Sequence, residues 1–119
     1  MNGHELGELF GVPTNFYRPA LTASIFIPGH LLVYGFTVYN SNAAAQYVLM
    51  FDANAVPADT AVPILALNAT SKQLAGVSWT PQGREFLEGF VLCNSSTDTT
   101  KTVGSADCFF DVQYDVLGG

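Results

Sequence analysis

Two histidines and two cysteines are the side chains from which metal or nucleophile chemistry would normally be built in this sequence. His4 lies near the start, His30 follows a Pro-Gly pair, and Cys93 and Cys108 lie in the last third. No spacing typical of a zinc site connects them. The chain also lacks the motifs that surround a Cys–His nucleophile, a catalytic serine or a phosphate-binding loop. We therefore predict no catalytic residue, no metal and no cofactor.

The acidic residues offer a weaker pattern. Asp107, Asp111 and Asp115 recur at every fourth position, which places them on one face of a strand. A calcium site is conceivable there, but it needs further oxygen ligands that converge on one point, so a solvated strand face is the simpler interpretation. Glu85 and Glu88 fall on opposite faces of a strand, which argues against a glycosidase pair.

Trp79 is the single tryptophan and stands just before Thr80-Pro81, near the end of a predicted strand. A sugar-stacking platform and a core aromatic look alike in sequence. We favour the core, because large aromatic side chains most often dominate cores and interfaces.

The composition points to a covered surface. Of the 119 residues, 49% are hydrophobic and 12% are charged, about half the usual charged share. Interfaces between subunits are depleted in charge, so we expect part of the surface to meet other subunits. The net charge of −6 and the four scattered basic residues disfavour nucleic acid and anionic membranes as partners. The acidic N-terminus does not resemble a secretory signal, and we expect synthesis in a cytosol.

Short segments rich in β-branched and aromatic residues alternate with turn signals along most of the chain. They predict an all-β fold, an antiparallel two-layer β-sandwich of jelly-roll type. The predicted strands are 21–27, 31–39, 46–52, 62–67, 75–80, 85–93, a shorter one near 99–103, and 106–116. In segment 31–39, alternation places Leu32, Tyr34, Phe36 and Val38 on one face and mixes Val33, Gly35, Thr37 and Tyr39 on the other.

Residues 1–20 differ from the rest, because glycines and prolines interrupt them while several side chains are apolar. We expect an extended N-terminal arm over 1–20 that covers its own sandwich or a neighbour, with a frayed terminus as the alternative. A single domain then spans 21–119.

A register for the last two long strands follows from placing Cys93 opposite Cys108. One face then pairs Val91 with Phe110, Gly89 with Val112 and Leu87 with Tyr114, all apolar or glycine as a buried face requires, while Leu92 pairs with Phe109 and Phe90 with Asp111 on the other face. The two cysteines are either a facing core pair or a disulfide. The other face is half apolar and half acidic, which suggests contact with a subunit or the arm. The candidate subunit contacts are Leu9, Phe10, Phe16, Tyr17, Phe86, Phe90 and Phe109.

Two stretches carry a resemblance to a known group of proteins. They are GFTVYNSNAAAQYVLMFDANAVPADTAVP (35–63) and GREFLEGFVLCNSSTDTTKTVGSADCFFDVQYD (83–115). Together they resemble small β-sandwich virion proteins of tailed bacteriophages, which occur as capsid decoration (cement) proteins and as modules of head or tail fibres. The resemblance implies a non-enzymatic capsid decoration protein on the virion surface that contacts the major capsid protein and forms homotrimers. A glycan- or receptor-binding module of a fibre is the alternative.

Overall fold

The computed structural model describes residues 15–117, which form nine β-strands and no helix. All pairings between these strands are antiparallel. The strands are β1 (Asn15–Tyr17), β2 (Ser24–Pro28), β3 (Leu31–Asn40), β4 (Gln46–Asp52), β5 (Leu65–Ala69), β6 (Leu74–Ser78), β7 (Arg84–Phe86), β8 (Gly89–Ser95) and β9 (Cys108–Val116).

Two sheets face each other. Sheet A has the strand order β1-β9-β3-β6, and sheet B has the order β2-β8-β4-β5. Within each sheet, strands from the first half of the chain lie beside strands from the second half. Strands that follow one another along the chain often lie in different sheets. This is the connectivity of an eight-stranded jelly roll, so the predicted all-β sandwich is confirmed.

The short strand β7 continues the edge that β6 begins. β6 pairs with residues 35–39 of β3, and β7 pairs with residues 31–33 of the same strand. Between these two stretches the β3–β9 ladder shifts register at Val33/Gly35, which is a β-bulge. β6 and β7 together therefore occupy one strand position of the jelly roll, interrupted by residues 79–83.

The bulge changes which side chains of β3 enter the core. Leu31 and Val33 face inward before it, and Phe36 and Val38 face inward after it. The predicted alternating face wrongly grouped Leu32 with Phe36, because one additional residue moves the side chains that follow it to the other face. Phe36, Phe86 and Phe90 form the aromatic centre, with ring centroids of Phe86 and Phe90 4.9 Å apart in an edge-to-face contact.

The predicted pairing of Cys93 with Cys108 is wrong. β8 lies in sheet B between β2 and β4, whereas β9 lies in sheet A between β1 and β3. Cys93 is opposite Ser24 and Leu49, Cys108 is opposite Asn40, and both thiols are free and buried. The two strands are joined by a long connection that crosses between sheets, so they do not form the expected hairpin.

The buried face assigned to β8 is wrong for the same reason. Phe90 and Leu92 point into the sandwich, and Val91 and Cys93 point to the outside of sheet B. Every residue of β8 is buried, so alternation along this strand carries no signal for which face is inner. Phe86 and Phe90 are fully buried in the core and therefore are not subunit contacts.

The other predicted segments agree in position with β2 to β6 and β9, while 99–103 contributes only an isolated bridge at Val103. Residues 15–17 of the predicted arm form edge strand β1, paired with β9. Residues 18–20 follow β1 and belong to no strand, and residues 1–14 of the predicted arm lie outside the described residues.

Candidate interaction surface

The outer face of sheet A is built in rows by the strand register. Leu74 of β6 is opposite Tyr39 of β3, which is opposite Phe109 of β9. These three side chains form an apolar row across the sheet, and Leu74 and Phe109 are 68% and 49% exposed. In the next row, Thr37 is opposite Asp111. Period-two alternation thus puts an aromatic row beside a polar row on one face.

Together these rows line a groove of about 380 Å³. Its lining residues are Arg18, Pro19, Thr37, Tyr39, Leu74, Phe109, Phe110 and Asp111. A groove of this volume has the size of a small-ligand site or a recess for a few side chains of a partner.

An ion pair lies on the polar side of this groove. Arg18 Nε is 3.0 Å from Asp111 Oδ2, and the guanidinium carbon of Arg18 lies 5.1 Å from the centre of the Phe16 ring. The second carboxylate oxygen of Asp111, Oδ1, is buried without a hydrogen-bond partner. The groove therefore combines an apolar row with an ion pair at its polar side.

The outer face of sheet B is closed, in contrast. Leu49, Phe51, Val91 and Cys93 form a second buried cluster there, and Ala53 and Ala61 pack against it. Leu49 and Cys93 are fully inaccessible to solvent although they point away from the interior core. The chain between β4 and β5 covers this face itself.

Lys101 lies in the connection between β8 and β9 and binds the β4–β5 connection, which forms the cover of sheet B. Its Nζ donates to the Pro57 carbonyl at 2.5 Å and lies 3.8 Å from Asp59. Its backbone N–H donates to Ala61, and its carbonyl accepts from Thr60. A lysine that is only 7% exposed is uncommon and needs such partners. The sequence does not reveal this role, since no local pattern distinguishes a buried lysine from a solvated one.

Neither cysteine is chemically activated. Burial raises the pKa of Cys93 to about 11, despite the opposing effect of nearby Lys101. Burial also raises the pKa of Cys108 to about 11, with a contribution from Asp107. Both side chains are neutral thiols near pH 7, and a nucleophilic or ligating role requires the thiolate.

Besides Phe86 and Phe90, which are buried, the candidate subunit contacts separate into three groups. Phe16 and Phe109 lie on the outer face of sheet A and are exposed, whereas Tyr17 packs partly against the interior core. Leu9 and Phe10 lie outside the described residues. Tyr39, Leu74 and Arg18 were not among the candidates, although the alternation of segment 31–39 already placed Tyr39 beside Thr37.

The acidic residues have structural partners. Asp107 accepts from Asn42 Nδ2 at 2.7 Å and from the Ser105 hydroxyl, and these bonds lower the pKa of its carboxyl. Asp111 pairs with Arg18, and His30 Nε2 lies 2.5 Å from Glu85. Within residues 15–117 no group of three or more His, Cys, Asp or Glu side chains is arranged to hold a metal ion.

Trp79 packs against the interior core, with its ring centroid 6.0 Å from that of Phe36 and 5.7 Å from the guanidinium carbon of Arg84. This agrees with the core interpretation. Over the described range, no helix has the length and apolar character to cross a membrane.

No protein-family model matches this chain, and no curated protein matches it either. Among solved structures, the chain is similar to the coat protein of Tobacco streak virus, with 11% sequence identity and a TM-score of 0.34. The similarity covers 91% of this chain and 85% of that chain. A TM-score of this size does not establish a common fold.

Proposed function

We propose that this protein is a structural component of a virus particle: a capsid decoration protein that binds the outer surface of a phage head and bridges major-capsid subunits. The observation that carries this proposal is the contrast between the two outer faces. One is closed by the chain's own loops, and the other exposes an aromatic row and a groove. Exposed apolar surface of this kind on a small soluble domain is typical of a site that meets another protein.

The fold and composition support the same proposal. Jelly rolls occur in viral capsid proteins, although also in lectins and cupins, so the fold alone does not decide the function. The small share of charged residues is suited to a protein that is partly covered in an assembly. A decoration protein needs no catalytic group. It needs a rigid body and interfaces that, repeated over many copies, resist expansion of the shell.

The proposed contact surface on the shell side is the outer face of sheet A. Phe109, Tyr39 and Leu74 would enter apolar recesses of the major capsid protein. Aromatic side chains surrounded by polar groups are the usual centres of binding energy in interfaces. The location on the capsid surface remains part of this proposal, whereas the homotrimer is implied by the resemblance alone.

Binding to phage heads that lack the protein tests this role. Wild type and the variants Phe109→Ser and Val62→Ser would be mixed with such heads, and bound protein would be measured after sedimentation. Both variants remove an exposed apolar side chain, but Val62 lies in the loop between β4 and β5, away from sheet A. We expect Phe109→Ser to lower the bound fraction at least tenfold and Val62→Ser to leave it unchanged. Equal binding of all three proteins would contradict the proposed surface.

The N-terminal segment offers a second test. Removal of residues 2–14 leaves β1 intact, so the sandwich should unfold at nearly the same temperature while attachment to heads weakens. If the shortened chain does not fold, the segment belongs to the folding unit and the predicted arm is wrong.

A second candidate function is favoured by the chemistry of the groove. Tyr39 and Phe109 stand beside Thr37, Arg18 and Asp111, and a flat aromatic surface next to hydrogen-bonding groups is suited to a sugar ring. This observation favours a glycan- or receptor-binding module of a fibre. Binding to immobilised bacterial surface glycans, abolished by Tyr39→Ala, would support that function, whereas binding to heads alone would exclude it.

A further inference from the structure

The edge of sheet A formed by β6 presents unpaired backbone groups within residues 15–117. β6 pairs with β3 on one side and is the last strand of the sheet. The hydrogen bonds at its two ends fix its orientation: Asn40 N donates to Gln73 O at 3.3 Å, and Trp79 N donates to Tyr34 O at 2.8 Å. In an antiparallel ladder, alternate residues bond to the same neighbour. The N–H and C=O groups of Leu74, Gly76 and Ser78 therefore point away from β3, toward the open edge.

This edge lacks the features with which proteins usually block strand addition. Its sequence, Leu-Ala-Gly-Val-Ser, contains no charge and no proline, and its register with β3 has no bulge. The other edge of sheet A, β1, comprises Asn15–Tyr17 within the described residues and is followed by Arg18 and Pro19. β7, which continues the β6 edge, carries Arg84 and Glu85. The unprotected stretch is thus confined to 74–78.

The edges of sheet B differ in a further respect. β2 ends at Pro28, which has no N–H to donate. β5 is also uncharged, but the side chains that it exposes, Ala66 and Asn68, are small or polar. β6 exposes Leu74, which is 68% accessible and lies on the rim of the groove. Among these edges, β6 alone combines open backbone groups with a large apolar side chain.

We propose that β6 pairs with β6 of a second copy of this chain, antiparallel and two-fold symmetric about Gly76. Gly76 then faces its own equivalent, and Leu74 faces Ser78 of the other copy. These outward-pointing residues form hydrogen-bonded pairs, so about six backbone hydrogen bonds connect the copies and the two A sheets become continuous.

A second copy is the occupant that this strand fits best. The strand is uncharged, so two equivalent strands meet without like charges in opposition. A five-residue strand pair buries much less than the roughly 800 Å² per partner of a stable interface. The association is therefore weak in dilute solution and becomes effective where copies are held close together, as on a particle.

Register-specific cross-linking tests the pairing. In this register residue 74 of one copy lies opposite residue 78 of the other, about 5.5 Å apart between Cα atoms, which a disulfide can span. Residues 74 of the two copies are about 13 Å apart, since four residues of strand separate them along the sheet. The variants Leu74→Cys and Ser78→Cys would be oxidised separately and as an equimolar mixture. The native Cys93 and Cys108 are buried and serve as an internal background.

We expect the mixture to give at least tenfold more disulfide-linked dimer than either variant alone. Equal cross-linking in all three samples would show random collision, and cross-linking of Leu74→Cys alone would show a different register. Either result overturns the proposal.

Sedimentation equilibrium of the unmodified chain gives an independent measurement. Wild type should show a concentration-dependent dimer that Leu74→Lys weakens at least tenfold and the matched Val62→Lys leaves unchanged. A monomer at all concentrations, or equal association of the three proteins, would overturn the pairing. Because this assay contains no phage heads, its failure leaves the proposed attachment to a shell standing, and failure of attachment leaves the dimer standing.

Discussion

The outer faces of the two sheets differ in whether their large apolar side chains are covered by the chain itself. Both sheets carry large apolar side chains on the face that points away from the interior core. On sheet B, Leu49 and Val91 are fully buried because the connection between β4 and β5 lies over them. On sheet A, Phe109 and Leu74 remain exposed beside a groove. The comparison teaches that outward apolar residues contribute to folding on one sheet and are available for binding on the other.

This difference also explains how the chain can contain few charged residues although its surface is not apolar throughout. Sheet B needs few charged residues because its outer face is covered by the β4–β5 connection and does not meet solvent. Exposed apolar side chains also occur in loops, such as Val62 and Leu87, but on sheet A Phe109 and Leu74 lie together beside the groove, where a partner would cover them. If the two faces differ in this way, substitutions on sheet B should destabilise the fold and substitutions on sheet A should not.

A buried charge on the closed face should be the most damaging change. Cys93→Asp places a carboxylate in a site that is fully inaccessible, with Lys101 already engaged by Pro57 and Asp59. We expect a loss of several kcal/mol in the free energy of unfolding, enough to prevent folding. Cys93→Ala should cost on the order of 1 kcal/mol. Urea denaturation followed by circular dichroism measures both, and a well-folded Cys93→Asp would show that this face is open to water.

Two leucines offer a matched comparison of the faces. Leu49 is fully buried on sheet B, and Leu74 is 68% exposed on sheet A. We expect Leu49→Ala to lower the free energy of unfolding by about 3 kcal/mol, and Leu74→Ala to change it by less than about 0.5 kcal/mol. Urea denaturation of both variants provides the measurement. Similar losses for the two would mean that sheet A contributes to the fold as sheet B does.

Loss of the Lys101 ammonium should loosen the cover of sheet B. Lys101→Met keeps the apolar stem but leaves the Pro57 carbonyl without its donor, so we expect a loss of about 1 kcal/mol. Because the cover lies over Cys93, a thiol reagent should also react with that residue several-fold faster. Lys72→Met is the control, since Lys72 is exposed in a turn. Unchanged thiol reactivity in Lys101→Met would show that other loop contacts, and not Lys101, keep the outer face of sheet B closed.

The smallest effect concerns acid stability at the junction of the sheets. Asp52 accepts backbone hydrogen bonds from Leu87, Glu88 and Gly89, which lead from β7 in sheet A to β8 in sheet B. Burial raises the pKa of Asp52, but these bonds and nearby Arg84 outweigh it, and the pKa of the folded state is lowered.

A lowered pKa in the folded state means that the charged form stabilises the fold. This contribution is fully present above the unfolded value of about 3.9 and is lost as the pH falls below it toward the folded value. Asp52→Asn should therefore be less stable than wild type at pH 7, by about 1 kcal/mol, and the difference should shrink below pH 4. Thermal unfolding between pH 2 and 7 measures it. A constant difference at every pH would show that the carboxylate charge is not responsible.

Much of the architecture could be predicted from local sequence. The segments 31–39 and 46–52 coincide with β3 and β4 almost residue by residue, because their apolar and β-branched residues end at Asn-rich or Pro-rich turns. The alternation in β9 correctly separated Phe110 and Val112 from Phe109 and Asp111, because one face of that strand is polar. The sequence predicted only part of the groove, because the groove forms where β3, β6, β9 and the residues after β1 come together.

By itself the sequence determined the all-β class, the positions of most strands and the half-apolar outer face of β9, since these depend on periodicity and turn residues along one segment. Only the tertiary structure decided that β8 and β9 lie in different sheets, that Cys93 and Cys108 do not face each other, and that Phe86 and Phe90 are core residues. The physical reason is that β8 is buried on both faces, so its sequence contains no polar alternation to reveal direction or partner. A bulge in β3 and a loop over sheet B are likewise set by contacts between distant segments, which no local pattern encodes.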